Sequence, residues 1–181
     1  EAGMRLGAAT DLMEDCWWAP GVVRPDGGPS FLLYERAAPT GIIVDQEGRR
    51  WVNEGVSYNW FGHLMLEALE RGVPCLPSWY VFDSYALSRY GFAGLRPEED
   101  PTPWVESGAM KRADTVEELA AQIGTTALVE TVERLLVGAF ALDRLLAVDR
   151  VAPHRIREGA EQLGHLQRLH LLVAVQLQRV V

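Results

Sequence analysis

The 181-residue chain has only two cysteines, Cys16 and Cys75, and they stand alone. Two isolated thiols argue against a disulfide framework and lack the paired spacing of a zinc or redox motif, so both read as small buried or partly buried side chains. No apolar run reaches the roughly 18 residues of a spanning helix, and the start carries no signal-peptide pattern, so the expected location is a reducing cytoplasm. Cations are scarce: 17 Lys and Arg, with Lys111 the only lysine, face 25 Asp and Glu, for a formal charge of −8. That balance argues against nucleic acid and anionic membranes as partners, since both reward clustered positive charge. Also missing is any Gly-x-Gly-x-x-Gly turn, the device by which a strand and a helix N-terminus cradle a dinucleotide pyrophosphate.

What is present suits a globular piece. With 48% hydrophobic and 23% charged residues the chain can bury one sizeable core. Its most informative stretch runs from Gly41 to Asn59. The β-branched run Ile42 to Val44, a polar turn with Gly48, and a second short strand Arg50 to Val52 predict an antiparallel hairpin. Asn53, Glu54, Ser57 and Tyr58 leave its far end together.

The run Gly48-Arg49-Arg50-Trp51-Val52-Asn53-Glu54 resembles the strand that opens the cap, or substrate, domain of the FAD-dependent fumarate reductase and 3-ketosteroid dehydrogenase superfamily. Tyr58, four residues after the Glu, stands where the fumarate reductases place an arginine proton donor, which favours the steroid branch. Three further segments resemble the same proteins in order and spacing: Gly7 to Met13 followed by Trp17-Trp18, Trp79 to Asp83 followed by Arg89-Tyr90, and Lys111 to Thr115 followed by Glu117 to Ala120. Ser57 departs from the proline of many steroid-type relatives. The resemblance stops near Leu135, where the family continues with Phe-Asn and a Gly-Asp-rich loop.

The resemblance implies an α+β fold: a cap-domain fragment with a small antiparallel sheet and packed helices, lacking the Rossmann-type FAD-binding core. It implies three parts: 1–38 as a residual edge of the FAD-binding domain and linker, 39–134 as the cap domain, and 135–181 as a divergent helical tail. Through Arg134 the chain carries 11 basic and 21 acidic residues, and the tail then holds three of the four histidines, His154, His165 and His170. Two explanations of the tail stand side by side. One is a shifted reading frame in GC-rich coding DNA; the other is a lineage-specific helix with Leu163, Leu166, Leu169 and Val173 roughly on one face. His165 and His170 lie off the same-face helical spacing, so no metal site is expected.

Removing hydrogen from the two carbons beside a ketone needs a base for the acidic α-proton and a flavin to take the hydride. By resemblance Tyr58 is the proton acceptor, Ser57, Trp60 and Phe61 are candidates for the substrate surface, and Asn53 and Glu54 for the cofactor side. Ordinary roles compete for each: a half-buried tyrosine, core aromatics, and polar groups that hydrogen-bond the crossing strand or fix the loop presenting Tyr58. The expected partners are a small apolar ketone or steroid and a flavin-binding domain of the same parent chain. FAD is the expected cofactor of the parent, and the fragment alone is expected to be inactive. A fumarate-reductase-like fragment and a stand-alone α+β binding module remain as alternatives. An excised cap predicts an apolar surface around Trp17, Trp18 and Tyr58.

Local signals complete the outline. They predict a short helix within Arg5 to Asp15, an irregular loop from Ala19 through Pro29, and a strand over Phe31 to Tyr34. Asn59 is expected to cap a helix containing Phe61, Leu64, Met65 and Leu69 that ends at Gly72. Further on, Pro77 to Phe82 predicts a buried strand, Ser84 to Tyr90 a helix, Arg96 to Pro103 a loop, and Asp114 or Thr115 the start of a helix closed by Gly124.

Overall fold

The computed structural model describes residues 1–11, 18–38, 41–135 and 172–180. A six-stranded antiparallel sheet organises them. Its strands are β1 (Ala19–Val23), β2 (Pro29–Phe31), β3 (Ile42–Val44), β4 (Ser78–Asp83), β5 (Met110–Ala113) and β6 (Leu172–Val180). The path runs β2-β1-β6-β4-β3, with β5 also paired to β6. Every pairing among the described residues is antiparallel. The α+β expectation holds on this architecture.

β4 is the organising strand, and its sequence Ser-Trp-Tyr-Val-Phe-Asp shows why. Successive side chains on a strand point to opposite faces. Tyr80 and Phe82 accordingly enter one core with Val22, Leu32, Ile43, Phe61, Phe92, Trp104 and Met110. Val81 enters the other, with Val44, Leu119, Ala120 and Leu128. Apolar cover on both faces explains the near-continuous hydrophobicity of this strand. The first core is rich in rings: Phe82 and Phe92 stack with centroids 5.0 Å apart, and Phe92 meets Trp104 edge-on at 5.7 Å.

Helices close both faces. The first helix, α1 (Ala2–Arg5), contributes no buried residue. α2 (Tyr58–Glu70) buries Phe61, Gly62, Met65 and Ala68, an i, i+3/i+4 stripe. Its cap is Ser57, whose Oγ accepts from Trp60 N at 3.3 Å, rather than the expected Asn59. Either residue has a suitable oxygen; the chain turns helical two positions earlier than the apolar stripe suggests. α3 (Ser84–Tyr90) covers the expected residues, capped by Asp83 onto Ala86 N at 2.8 Å. α4 (Thr102–Glu106) overlaps the last two residues of the stretch expected as a loop and buries Trp104. α5 (Val116–Ile123) begins at its Thr115 cap and ends at Gly124 in the left-handed region, as expected. A further helical stretch covers 128–135.

Three expectations are corrected. Ala19 to Phe31 is a β-hairpin rather than an irregular loop, with Gly21 opposite Phe31 and Val23 opposite Pro29. Its turn is closed by Arg24 N to Gly28 O at 2.8 Å and by the Asp26 carboxylate accepting from Gly28 N at 2.9 Å. The strand expected over Phe31 to Tyr34 ends at Phe31, because β2 lies three residues earlier. Val173, expected on a helical face, lies on β6. Its three leucine companions, and the histidines of the tail, lie outside the described residues, as do Cys16, Trp17 and residues 12–15; of the helix expected within Arg5 to Asp15 the described part holds only Arg5, the last residue of α1, and the chain leaves the helix at Leu6. β6 joins the sheet by pairing with β1 on one side of the path and with β4 and β5.

Candidate functional site

β3 leads into a turn built on Asp45. The Asp45 carboxylate, 3% exposed, accepts from Glu47 N and Arg49 N at 2.9 Å each, while Asp45 N donates to Arg49 O at 2.9 Å. The expected second strand of the hairpin contracts to a single bridge, Val44 with Arg50. Glu54 is the reason. Its carboxylate accepts from Ile43 N at 2.8 Å, occupying the edge of β3 that a returning strand would have used.

The same carboxylate takes both donors of Arg50, at 3.0 Å from Nε and 2.6 Å from Nη2. Glu54 is buried and Arg50 half-buried, and this pairing raises the Arg50 pKa, with the side-chain hydrogen bond the main cause. The Glu54 main-chain oxygen accepts from Arg36 Nη1. Glu54 is therefore spent on this chain's own framework: three N–H donors on its carboxylate and a guanidinium on its carbonyl. Asn53 is exposed, and its Oδ1 accepts from Gly55 N at 3.0 Å in a local turn.

The turn delivers Ser57 and Tyr58 to the first turn of α2. Tyr58 is 37% exposed and Trp60 53% exposed, so both present rings to solvent. Trp60 lies 5.9 Å from the His63 ring. Phe61 faces the other way, 3% exposed, edge-on to Trp51 at 5.5 Å and beneath the Arg36 guanidinium at 5.5 Å. Of the three residues expected to line a substrate surface, Ser57 and Trp60 lie on the surface and Phe61 lies in the core. Asn59, between them, keeps its Oδ1 buried with no hydrogen-bond partner among the described residues.

The apolar face expected around Trp17, Trp18 and Tyr58 is not found at Trp18, and Trp17 lies outside the described residues. Trp18 is buried at 6% exposure, and the exposed rings are those of Tyr58 and Trp60. Trp18 instead walls a narrow apolar crevice with Trp51, Phe61, Met65, Cys75 and Leu177. Gly62 makes this packing possible, because a Cβ there would overlap the Trp18 side chain. Cys75 lies at the crevice with 1% exposure, and burial pushes its thiol pKa up. Alkylation of Cys75 by iodoacetamide near pH 8 is expected to be roughly a hundredfold slower in the folded than in the urea-unfolded chain, because the thiolate is disfavoured and the sulfur is covered. Peptide-resolved mass spectrometry reads this directly, and equal rates would mean the crevice is open.

Arg36 is the residue that sequence reasoning missed. It sits on a one-turn 3-10 helix, Glu35–Ala37, after an apolar run with no periodic signal; of its bonded partners Leu32 is local and Glu54 lies 18 residues on. Only its place after the apolar run 31–33, of which Leu32 alone is buried, hinted at anything.

Known proteins place this arrangement. In Mycolicibacterium smegmatis a 3-oxosteroid 1-dehydrogenase is 41% identical over 140 residues, 74% of this chain and 24% of that protein. The 3-oxosteroid 1-dehydrogenase of Mycobacterium tuberculosis H37Rv is 42% identical over 147 residues, 77% of this chain and 26% of its own length. A 4-oxocyclohexanecarboxylate 2-dehydrogenase of Sinomonas cyclohexanicum is 36% identical over 147 residues, 76% and 24% of the two chains. The chain thus spans about a quarter of the length of these relatives. In fold, it matches the 3-ketosteroid delta1-dehydrogenase of Sterolibacterium denitrificans, solved with 1,4-androstadiene-3,17-dione, at a TM-score of 0.68 and 24% identity, over 98% of this chain and 34% of that one. The open conformation of a flavocytochrome c3 fumarate reductase gives a TM-score of 0.58 at 13% identity, over 98% and 27%. A family model described as an FAD binding domain matches residues 1–167. With that match over most of its length, the chain belongs to the FAD binding domain family.

Proposed function

We propose that this chain is the cap, or substrate-side, part of a flavin-dependent dehydrogenase that introduces a double bond beside a ring ketone, with Tyr58 as the proton acceptor. The observation that carries it is the placement of Tyr58. It stands at the first turn of α2, partly exposed beside the exposed Trp60, on a segment fixed from below by Glu54 and Arg36. The relatives' names supply the chemistry: a 3-oxosteroid in one case and an oxocyclohexane carboxylate in another, both oxidised by dehydrogenases. Their shared feature is a cyclic ketone.

Tyr58 would take the proton from the carbon next to the carbonyl as the neighbouring carbon loses its hydride, leaving a carbon–carbon double bond. FAD, held by parts of the parent outside these residues, supplies the hydride acceptor. Trp60 and the Ser57 hydroxyl offer the substrate an aromatic face and a hydrogen-bond donor. Asn53, exposed at the turn with its Oδ1 held by Gly55 N, would offer its amide NH2 to the cofactor side. Glu54 serves as framework. On this view 39–134 is the working part of the cap, and the chain by itself neither retains FAD tightly nor turns over.

The test is Tyr58→Phe in the FAD-loaded parent, assayed with a 3-oxosteroid. Loss of the proton acceptor is expected to lower kcat by roughly 10²–10⁴-fold, the usual share of general acid–base catalysis, while steroid binding persists. A variant that retains the parent rate would overturn the assignment.

A further inference from the structure

Two fixed points flank the segment that carries Tyr58, and one side chain touches both. Arg36 is 4% exposed. Its Nε donates to Leu32 O at 3.1 Å and its Nη1 donates to Glu54 O. The guanidinium carbon also lies 5.5 Å from the centroid of the Phe61 ring. Glu54 and Phe61 bracket Gly55 to Trp60, which include Ser57 and Tyr58. The base of the clamp is itself held, since the Tyr80 hydroxyl donates to Glu35 O at 2.7 Å.

The choice of residue is informative. Burial depresses the Arg36 pKa, with desolvation the main cause, so the cation is held at a cost. A planar fork that donates in two directions while its face lies on a ring is something a lysine ammonium, a point charge, does not reproduce. Local bonds inside the bracketed segment are few: Val56 N to Asn53 O at 3.4 Å, Gly55 N to Asn53 Oδ1, Trp60 N to Ser57 Oγ, and Phe61 N to Ser57 O at 2.9 Å. These shape the segment without tying it to the sheet.

We propose that Arg36 is a positioning residue for Tyr58, one guanidinium gripping both ends of the segment that presents the phenol. Its catalytic consequence rests on Tyr58 being the proton acceptor; the grip itself does not. A near-attack geometry tolerates little displacement, and a shift of about 1 Å at a reacting group can cost roughly a hundredfold in rate.

The experiment pairs hydrogen–deuterium exchange on the 181-residue chain with kinetics of the FAD-loaded parent, in Arg36→Lys and Arg36→Met. In both variants the amides of 55–61 are expected to exchange roughly tenfold faster or more, while those of α5 keep their protection. In the parent, kcat is expected to fall by roughly a hundredfold with KM little changed, and lysine is not expected to rescue it. Unchanged exchange at 55–61, a uniform loss of protection across the chain, full rescue by lysine, or local loosening with unchanged kcat would each overturn the proposal. Tyr58→Phe in the same background separates the two ideas: if that variant kept its rate, the role of Tyr58 would fall, and the exchange pattern would still decide the grip.

Discussion

Glu54→Ala is expected to destabilise the chain by about 2–4 kcal/mol, because it removes the single acceptor on which three N–H groups converge. The contributions differ in kind. Ile43 N, on a strand whose residue is 0% exposed, is left without its acceptor, and a buried orphan of this sort costs about 1–3 kcal/mol. Arg50 is half-exposed and re-solvates, so its share is discounted to about 1 kcal/mol or less. Glu54→Gln tests this division. It keeps an acceptor for Ile43 and forfeits the charge, so about 1 kcal/mol of loss is expected, and that part shrinks in high salt. Urea denaturation of the three proteins measures it; equal losses for both substitutions would mean that the charge, rather than the Ile43 bond, holds the corner.

Gly48→Ala is the second large effect. Gly48 has φ +91°, a region that costs a residue with a Cβ roughly 1–2 kcal/mol. The Cβ would also stand 2.5 Å from Leu128 N, a backbone atom with no rotamer to yield. Two bonds lock these surfaces together, Ala127 N to Glu47 O at 2.9 Å and Thr131 Oγ1 to Gly48 O at 2.7 Å. Relief therefore requires the 128–135 helical stretch to lift away, taking the buried Leu128 with it. A loss of about 3–5 kcal/mol is expected, strain and lost packing together. Chemical denaturation gives the magnitude, and hydrogen exchange should show residues 126–135 loosened more than α3. A loss below about 1 kcal/mol would mean that the turn relaxes in place.

Much of this fold was legible where local chemistry decides. α3 begins at Asp83 and α5 at Thr115 because short oxygen-bearing side chains cap them, and Gly124 closes α5 for want of a Cβ. The stripe of Phe61 and Met65 announces α2. β1 and β5 were illegible for the opposite reason: Ala-Pro-Gly-Val-Val and Met-Lys-Arg-Ala carry no strong strand signal, and both are held by β6, remote in the chain, with β1 also paired to its hairpin partner β2. In the candidate site, the cluster at 53–58 was visible as a cluster, and the roles within it were not. For Glu54 the sequence left open a bond to the crossing strand, a part in fixing the loop, and a cofactor-side role; the partners it meets are the edge of β3 and two arginines, one of them 18 residues upstream. No periodicity encodes such a meeting.

The central place of β6 also sets the order in which this architecture can be completed. β1, β4 and β5 are all made before the strand that joins them, and one edge of each stays unsatisfied until residues 172–180 arrive. During synthesis the cores beneath β4 can gather, because their helices are local, but the sheet cannot close. Such late, long-range pairing is slow and leaves open strand edges exposed to other chains. The nascent polypeptide thus passes through a stage in which its hydrophobic interior is assembled and its hydrogen-bonded frame is still incomplete, and that stage is where a chaperone would have most to do.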